Sequence, residues 1–279
     1  MTTQLEPTQQ LTGVAETLMI TLYARVVETQ RGADSLLQDP KAVEIASRTD
    51  YDFSKYQKGW ASQLGVVVRV REFDRLIRDF LTIHPESTVI NLGCGLCTRF
   101  SRVDNGQVQW YEVDFPEVIE LRHKFFEETE RYQFIDKSIL DFSWIDCINR
   151  SPERPLIILM EGVSMYLTEA ENRSLMTALG DRLAPTEFIF DALNRSSAKK
   201  SKQHDTVSKT NAEFKSGIDS GQEVTTWGAG IALKDEIFAL AQFANYPARL
   251  PLWARYIRSL IVTIFKNSFR ILHLQLTRT

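Results

Sequence analysis

Twelve residues, Thr88-Val-Ile-Asn-Leu-Gly-Cys-Gly-Leu-Cys-Thr-Arg99, carry the clearest signal of the fold. β-Favouring residues run directly into Gly93 and Gly95, which is typical of a buried strand that ends in a tight turn before a helix. Glycine has no Cβ, so the backbone of such a turn can approach a ligand closely. A second predicted strand ends in Asp114, twenty-one residues after Gly93, and an acid at this spacing commonly accepts hydrogen bonds from both hydroxyls of a ribose. The pattern predicts a site for a nucleoside-containing cofactor.

The glycine pattern differs from the dinucleotide fingerprint, which needs a third glycine three residues after the second. That position is occupied by Thr98. A pair of glycines also occurs in ordinary strand-to-helix turns, so it does not identify the ligand by itself. A nicotinamide oxidoreductase is therefore disfavoured but remains an alternative. A catalytically silent protein that binds a cofactor or a partner is the alternative from a different class.

Bulk composition indicates a globular protein. The chain has 279 residues, 43% hydrophobic and 25% charged, with a formal net charge of -3. These values give no reason to expect a nucleic-acid partner, and no apolar run reaches the length of a membrane span. Positive charge is concentrated after Glu236, the last acidic residue. This basic segment either binds an anionic substrate or a membrane surface, or is a solvated face of the protein. The basic residues concerned are Arg249, Arg255, Arg258, Lys266, Arg270 and Arg278.

The three cysteines favour a reducing compartment. Their number is odd, and no signal-peptide pattern is recognised, so we expect a cytoplasmic protein. Cys94 and Cys97 form a C-x-x-C, but no second Cys or His pair lies at metal-ligand spacing. We therefore expect neither zinc nor a redox role.

Hydrophobic periodicity predicts a doubly wound α/β domain with nearly all-apolar strands, preceded by helices. We expect a helical N-terminal extension over residues 1–84 and a core over 85–279, with a variable insertion at about 196–227. The insertion is rich in Lys, Ser, Asp and Gly, and is either a mobile lid or a surface helical insertion. The predicted strands are Val89–Leu92, Val108–Val113, Tyr132–Ile135, Leu156–Met160, Glu187–Asp191 and Ile271–Leu276. The predicted helices are Gly13–Gln30, a short one from Pro40, Ser62–Thr82, Pro116–Glu130, Thr168–Leu183 and Trp253–Lys266.

S-adenosylmethionine is a cofactor for which the sequence offers a partner at each polar group. Asp114 suits the ribose diol, and Glu161, which leaves the fourth core strand, suits the ammonium. Arg69 can form a bidentate bond with the carboxylate, although it or Arg71 can equally be a solvated residue. Asp141-Phe142 can accept from the adenine amine and cover its ring, unless Asp141 is a helix N-cap.

Seven segments together resemble the leucine carboxyl methyltransferase family, in particular its bacterial branch of polyketide-type O-methyltransferases. They occur in the order of the family and cover about residues 13 to 195. The segments are Gly13-Val-Ala-Glu-Thr-Leu with Leu22-Tyr-Ala-Arg25; Leu36-Leu-Gln-Asp-Pro-Lys-Ala42; Tyr51-Asp-Phe53; Arg69-Val-Arg-Glu-Phe-Asp74; Leu92-Gly-Cys-Gly-Leu-Cys-Thr-Arg99; Trp110-Tyr-Glu-Val-Asp-Phe-Pro-Glu-Val118; and Glu161-Gly-Val-Ser-Met-Tyr-Leu167.

The resemblance implies a Rossmann-like class I methyltransferase fold with seven strands, the last antiparallel. It implies that S-adenosylmethionine is the cofactor. Its carboxylate would be held by Arg69 and by a basic residue of the N-terminal helix, to which Arg25 is the nearest match. Relatives usually carry Asp where this chain has Cys97, which removes a possible hydrogen bond at the helix start. The other cofactor-binding residues implied or adjoining are Gly93, Gly95, Asp114, Phe115, Asp141, Phe142 and Glu161.

Methyl transfer from a sulfonium mainly requires that an acceptor oxygen be aligned with the methyl carbon. A carboxylate needs no general base, whereas a hydroxyl needs one. We expect His123 and His204 to be surface residues, which favours a carboxylate or an acidic phenol on a small molecule such as a natural product. Tyr166 and Arg195 are the candidates for contact with this acceptor, and Tyr166 can alternatively be a core residue. The oligomeric state is not readable from the sequence.

Overall fold

The structure, a computed structural model, describes residues 5–8, 11–200 and 205–278. His204 therefore lies outside the described residues. Within them the strands are β1 (Glu6–Pro7), β2 (Thr49–Asp50), β3 (Thr88–Leu92), β4 (Gln109–Asp114), β5 (Tyr132–Asp136), β6 (Leu156–Met160), β7 (Thr186–Leu193), β8 (Ile231–Ile237) and β9 (Phe269–Leu276). The helices are α1 (Leu18–Thr29), α2 (Pro40–Ser47), α3 (Trp60–Ile83), α4 (Arg99–Val103), α5 (Pro116–Arg122), α6 (Glu169–Leu183), α7 (Arg195–Ala198), α8 (Gly221–Val224), α9 (Leu252–Tyr256) and α10 (Arg258–Phe265).

One seven-stranded sheet organises the core, in the order β5-β4-β3-β6-β7-β9-β8. The pairs from β5 to β7 are parallel, and β9 is antiparallel to both of its neighbours. The chain first moves outward from β3 to β5 and then returns to place β6 on the other side of β3. Strand order therefore reverses between β3 and β6, where open α/β sheets form their ligand crevice. The predicted fold class, including the antiparallel last strand, is confirmed.

The strands are apolar because helices or loops cover both faces of the sheet. All five residues of β3 and all five of β6 are buried. In β9, Leu272, Leu274 and Leu276 are buried on one face. The predicted strands are all present. Leu156–Met160 has the predicted bounds, and the ends of the other strands differ by at most two residues.

The helices that precede the sheet begin with a short 3₁₀ turn, Ala15–Thr17, followed by α1, so the predicted helix starts later than Gly13. Asp39 begins α2 by accepting a hydrogen bond from the amide of Ala42 at 3.0 Å. One hydrophobic cluster joins these helices to the sheet, since it contains residues of α1, α3 and β3. The division of the chain at residue 84 stays a prediction.

Two predicted helices are wrong in extent. The helix predicted over Pro116–Glu130 ends at Arg122, because the acids Glu127, Glu128 and Glu130 would oppose the negative end of its dipole. The helix predicted over Trp253–Lys266 is two short helices, α9 and α10, because they pack against different neighbours. Trp253 of α9 meets the Trp60 ring at 6.4 Å, whereas α10 packs on the 3₁₀ segment Ala239–Asn245.

The insertion predicted at about 196–227 contains most of α7, a 3₁₀ turn at Val207–Lys209 and α8. Its motion as a lid stays a prediction. Two residues of the basic C-terminal segment form ion pairs within the protein, Arg249 with Glu28 at 2.8 Å and Arg270 with Glu236. No described helix is long and apolar enough to cross a membrane.

Candidate functional site

A cavity of about 910 Å³ opens at the carboxyl ends of β3, β4 and β6, at the point where the strand order reverses. One part of its wall is polar and comes from the turn after β3, the end of β4 and the loop after β6. The other part is apolar and comes from α3, α9, α10 and the segments beside them. The cavity wall therefore has two chemically different parts.

The turn after β3 requires glycine at two positions. Gly93 and Gly95 have φ angles of +66° and +50°, a region that other residues rarely adopt. A Cβ on Gly93 would also lie 2.4 Å from Cγ2 of Val163, which is part of the loop after β6. The buried guanidinium of Arg122 supports the turn from below by donating to the carbonyl oxygen of Gly95 at 2.8 Å. These contacts fix the position of the turn, which lines the cavity with Gly93 and Gly95.

Asp114 ends β4 on the same cavity wall. One carboxylate oxygen accepts from the amide of Gly95 at 2.7 Å, and the other accepts from the amide of Phe115 at 2.8 Å. Burial raises the pKa of Asp114 to about 6, against the opposing effect of these amides. The carboxylate is therefore mostly ionised at neutral pH, and Phe115, 40% exposed, lies beside it on the wall.

Glu161 and Arg69 line the same cavity as Asp114 and contact each other. Arg69 Nε donates to Glu161 Oε1 at 2.8 Å, and Arg99 Nη2 donates to Glu161 Oε2. Burial opposes the charged form of Glu161, but the two guanidinium groups outweigh it and lower its pKa to about 2. Glu161, Arg69 and Gly93 share the cavity, so the three segments converge in space.

The ion pairs continue on both sides of Glu161. Arg69 Nη1 donates to Asp191 of β7 at 3.1 Å, and Arg99 Nε donates to Asp74 of α3 at 2.8 Å. Sequence reasoning gave no role to Arg99, Asp191 or Asp74. Asp191 follows an apolar run near the end of a strand, as Glu161 does. The pattern that identified Glu161 could therefore have identified Asp191 as well.

Arg25 lies on the cavity wall but directs its donors into the protein. It bonds to Asp39 at 2.9 Å, to the Thr98 hydroxyl at 2.6 Å and to the carbonyl oxygen of Leu96 at 2.9 Å. It therefore ties the N-terminal helices to the start of α4. A contact between Arg25 and a cofactor carboxylate stays a prediction.

Asp141 and Phe142 are outside the set of residues that form the cavity wall. Asp141 accepts from the amide of Ser143 at 3.1 Å and begins a 3₁₀ helix, which is the alternative that the sequence left open. The preceding residues, 138–140, line the cavity instead. An adenine contact by Asp141 or Phe142 stays a prediction.

The two candidates for acceptor contact differ in their surroundings. Tyr166 is buried on the cavity wall, 5.4 Å from the ring of Phe214, and burial raises its pKa to about 12. It is also part of the hydrophobic core, which is the alternative that the sequence left open, and its contact with an acceptor stays a prediction. Arg195 is 41% exposed and pairs with Asp219 at 3.0 Å and with Glu223. It is not among the wall residues, and its contact with an acceptor stays a prediction. His123 is exposed.

The apolar part of the wall is unusually accessible. Trp253, Ile257, Leu260, Ile264 and Phe265 line the cavity, yet each is at least 43% exposed. Apolar surface of this kind, at the mouth of a cavity, is typical of a binding groove. Further apolar wall residues are Trp60, Leu193, Phe214, Leu240, Phe243, Val262 and Phe269.

The strand order is that of the class I methyltransferase fold. A DUF574 family protein of known structure from Streptomyces avermitilis has the same fold, with a TM-score of 0.58 and 11% identity over 91% of this chain and 96% of that one. The family model for leucine carboxyl methyltransferase matches residues 18–180, and the chain belongs to this family.

Two curated relatives agree with this family. The tetracenomycin polyketide synthesis O-methyltransferase TcmP of Streptomyces glaucescens is 33% identical over 230 residues, which cover 82% of this chain and 84% of TcmP. The S-adenosyl-L-methionine-dependent methyltransferase dpfgK of Gibberella zeae is 28% identical over 257 residues, 84% of this chain and 85% of dpfgK. The predicted family and its polyketide-type branch are confirmed, and the protein is a methyltransferase of the class that uses S-adenosylmethionine.

Proposed function

We propose that the protein transfers a methyl group from S-adenosylmethionine to a carboxylate or hydroxyl oxygen of a small, largely apolar acceptor. One observation carries the proposal. Asp114, Glu161 and Arg69, which are far apart in sequence, line a single cavity together with the glycine turn after β3. The acid for a ribose and the pair of opposite charges for an amino acid are the groups that this cofactor needs.

The residues present fit the cofactor. The Val163 side chain fills the space that a Cβ on Gly93 would need, so only glycine fits the turn at this part of the cavity wall. The methionine portion would lie against the backbone of this turn. Asp114 would accept from the ribose hydroxyls, Glu161 would bind the ammonium and Arg69 the carboxylate. When bound, the cofactor supplies an electrophilic methyl group on a sulfonium. Asp114, Glu161 and Arg69 would hold the cofactor on the polar part of the wall.

The rest of the mechanism is alignment and exclusion of water. The aromatic and aliphatic wall would cover an apolar acceptor and orient its oxygen toward the methyl carbon. No histidine occurs in the described cavity wall. This favours an acceptor that is already ionised, a carboxylate or an acidic phenol, because neither needs a strong general base. The hydroxyl of Tyr166, which keeps its proton at neutral pH, would donate to the acceptor.

The comparisons support a natural-product acceptor, since TcmP is named for polyketide synthesis. A polycyclic or otherwise apolar acceptor is the kind of molecule that the apolar part of the cavity wall would cover. We also propose a cytoplasmic location, because Cys94, Cys97 and Cys147 are all free thiols.

Mass spectrometry of a metabolite extract tests the function. The protein is incubated with the extract and S-adenosylmethionine, and products heavier by about 14 Da, one CH₂, are sought. At a limiting cofactor concentration, Asp114→Asn should reduce the gain about a hundredfold, because the two carboxylate bonds to a ribose contribute about 3 kcal/mol to cofactor affinity. Asp181→Asn, an exposed change on α6, is the matched control and should retain it.

The outcomes separate the alternatives. Calorimetric titration with S-adenosylhomocysteine and, separately, with NAD⁺ distinguishes a methyltransferase from an oxidoreductase. Binding of S-adenosylhomocysteine without any mass gain across extracts would favour a silent cofactor-binding protein. Unchanged affinity in Asp114→Asn would remove Asp114 from the site.

A further inference from the structure

We infer that Asp191 is a positioning residue for cofactor recognition. It holds the Arg69 guanidinium in the place where this group receives the carboxylate of the cofactor. The inference rests on the proposed function, because it takes the cavity as an S-adenosylmethionine site. Asp191 is fully buried in β7 and lies behind Arg69 rather than on the cavity wall. It would act through Arg69 without touching the cofactor.

The two oxygens of Asp191 hold two different parts of the site. Oδ2 accepts from Arg69 Nη1 at 3.1 Å, and Oδ1 accepts from the amide of Gly162 at 2.6 Å. Gly162 has a φ of +75°, and a Cβ there would lie 3.3 Å from Arg69 Nη2. The carboxylate therefore joins the arginine to the loop after β6, the same loop that carries Glu161.

Arg69 needs Asp191 as a second partner because its other partner, Glu161, would also bind the cofactor ammonium. In the structure Arg69 Nε bonds to Glu161 at 2.8 Å, and the cofactor ammonium would compete for the same carboxylate. An arginine held by Glu161 alone would then be free to change rotamer, with a loss of order that weakens binding. Asp191 keeps Arg69 in place. Asp74 does the same for Arg99 on the other side of Glu161, at 2.8 Å.

Two ligands distinguish positioning from general structural support. S-adenosylhomocysteine carries the amino-acid portion, whereas 5′-methylthioadenosine carries the same adenosine without it. Both are titrated calorimetrically into the wild type, Asp191→Asn and the control Glu187→Gln, a carboxyl-to-amide change on the same strand. Asp191→Asn should weaken S-adenosylhomocysteine ten- to hundredfold and change 5′-methylthioadenosine by less than about twofold. Glu187→Gln should leave both unchanged.

Each other result overturns the inference. If Asp191→Asn binds S-adenosylhomocysteine as the wild type does, Arg69 needs no second anchor. If both ligands weaken by the same factor, Asp191 supports the fold as a whole. If Asp191→Asn does not fold, Asp191→Ser, which keeps a hydroxyl near the Gly162 amide, is used in its place. If neither variant folds, Asp191 is needed for folding and the inference fails. A wild type that binds neither ligand would instead refute the proposed function.

Discussion

Replacing Glu161 by Gln tests the charged part of the site even without a cofactor. The carboxylate lies between Arg69 and Arg99 and is 11% exposed. The two guanidinium groups lower its pKa from 4.5 to about 2. A native carboxyl with a lowered pKa binds fewer protons than the unfolded one, so its ionised form stabilises the native state above the unfolded pKa.

The size of this stabilisation follows from the pKa difference. Each pKa unit is about 1.4 kcal/mol, so the ionised Glu161 contributes about 3 kcal/mol at pH 7. The contribution falls as the pH drops from 4.5 toward 2, to about 1 kcal/mol at pH 3, because the native carboxyl then gains its proton. Glu161→Gln should therefore lose about 3 kcal/mol of unfolding free energy at pH 7 and progressively less in acid.

Urea unfolding of the two proteins at pH 7, 5, 4 and 3 measures the difference directly. Glu120→Gln, an exposed change on α5, is the control and should lie within about 0.5 kcal/mol of the wild type at each pH. A difference for Glu161→Gln that is below about 1 kcal/mol at pH 7, or that does not shrink in acid, would refute the ion-pair network as the source of the low pKa.

Three further substitutions test other parts of the cavity. Gly93→Ala places a Cβ 2.4 Å from Val163 at a φ of +66°. It should lower the unfolding free energy by about 3 kcal/mol and abolish S-adenosylhomocysteine binding. The control Gly180→Ala in α6, where a Cβ meets nothing within 4 Å, should have neither effect. Tyr166→Phe should slow formation of the methylated product about tenfold without changing S-adenosylhomocysteine affinity, because it removes one donor to the acceptor; an unchanged rate would leave Tyr166 as a core residue only. Trp253→Ala should reduce product formation at least about fivefold, because it removes apolar surface from the cavity wall. The control Tyr256→Ala should not, since Tyr256 is 89% exposed and is not part of the described wall. Equal effects of the two substitutions would mean that α9 does not face the acceptor.

Local patterns in the sequence account for most of the fold. Strands β3 and β6 are short apolar runs bounded by turn residues, and Gly93 and Gly95 indicate the turn that follows β3. The spacing to Asp114 depends only on one helix and one strand, so it could be read without knowing the tertiary structure. The sequence was less informative where long-range packing decides the ends of a helix. For this reason the break at Ile257 between α9 and α10 was not predicted.

The charged network was only partly predictable for the same reason. Arg69 and Glu161 were named, but they lie 92 residues apart, and nothing local indicates that they contact each other. Arg99 and Asp191 join them only because α4 begins, and β7 ends, at the same edge of the sheet. Arg25 was expected to face a ligand, and its bonds to Asp39 and Thr98 depend on how α2 packs against the turn.

A crystal structure with S-adenosylhomocysteine tests the central claim most directly. The ribose hydroxyls should lie within about 3.2 Å of the Asp114 carboxylate, with the amino group at Glu161 and the ligand carboxylate at Arg69. A ligand bound elsewhere, or one whose amino-acid end points away from Glu161 and Arg69, would contradict the account.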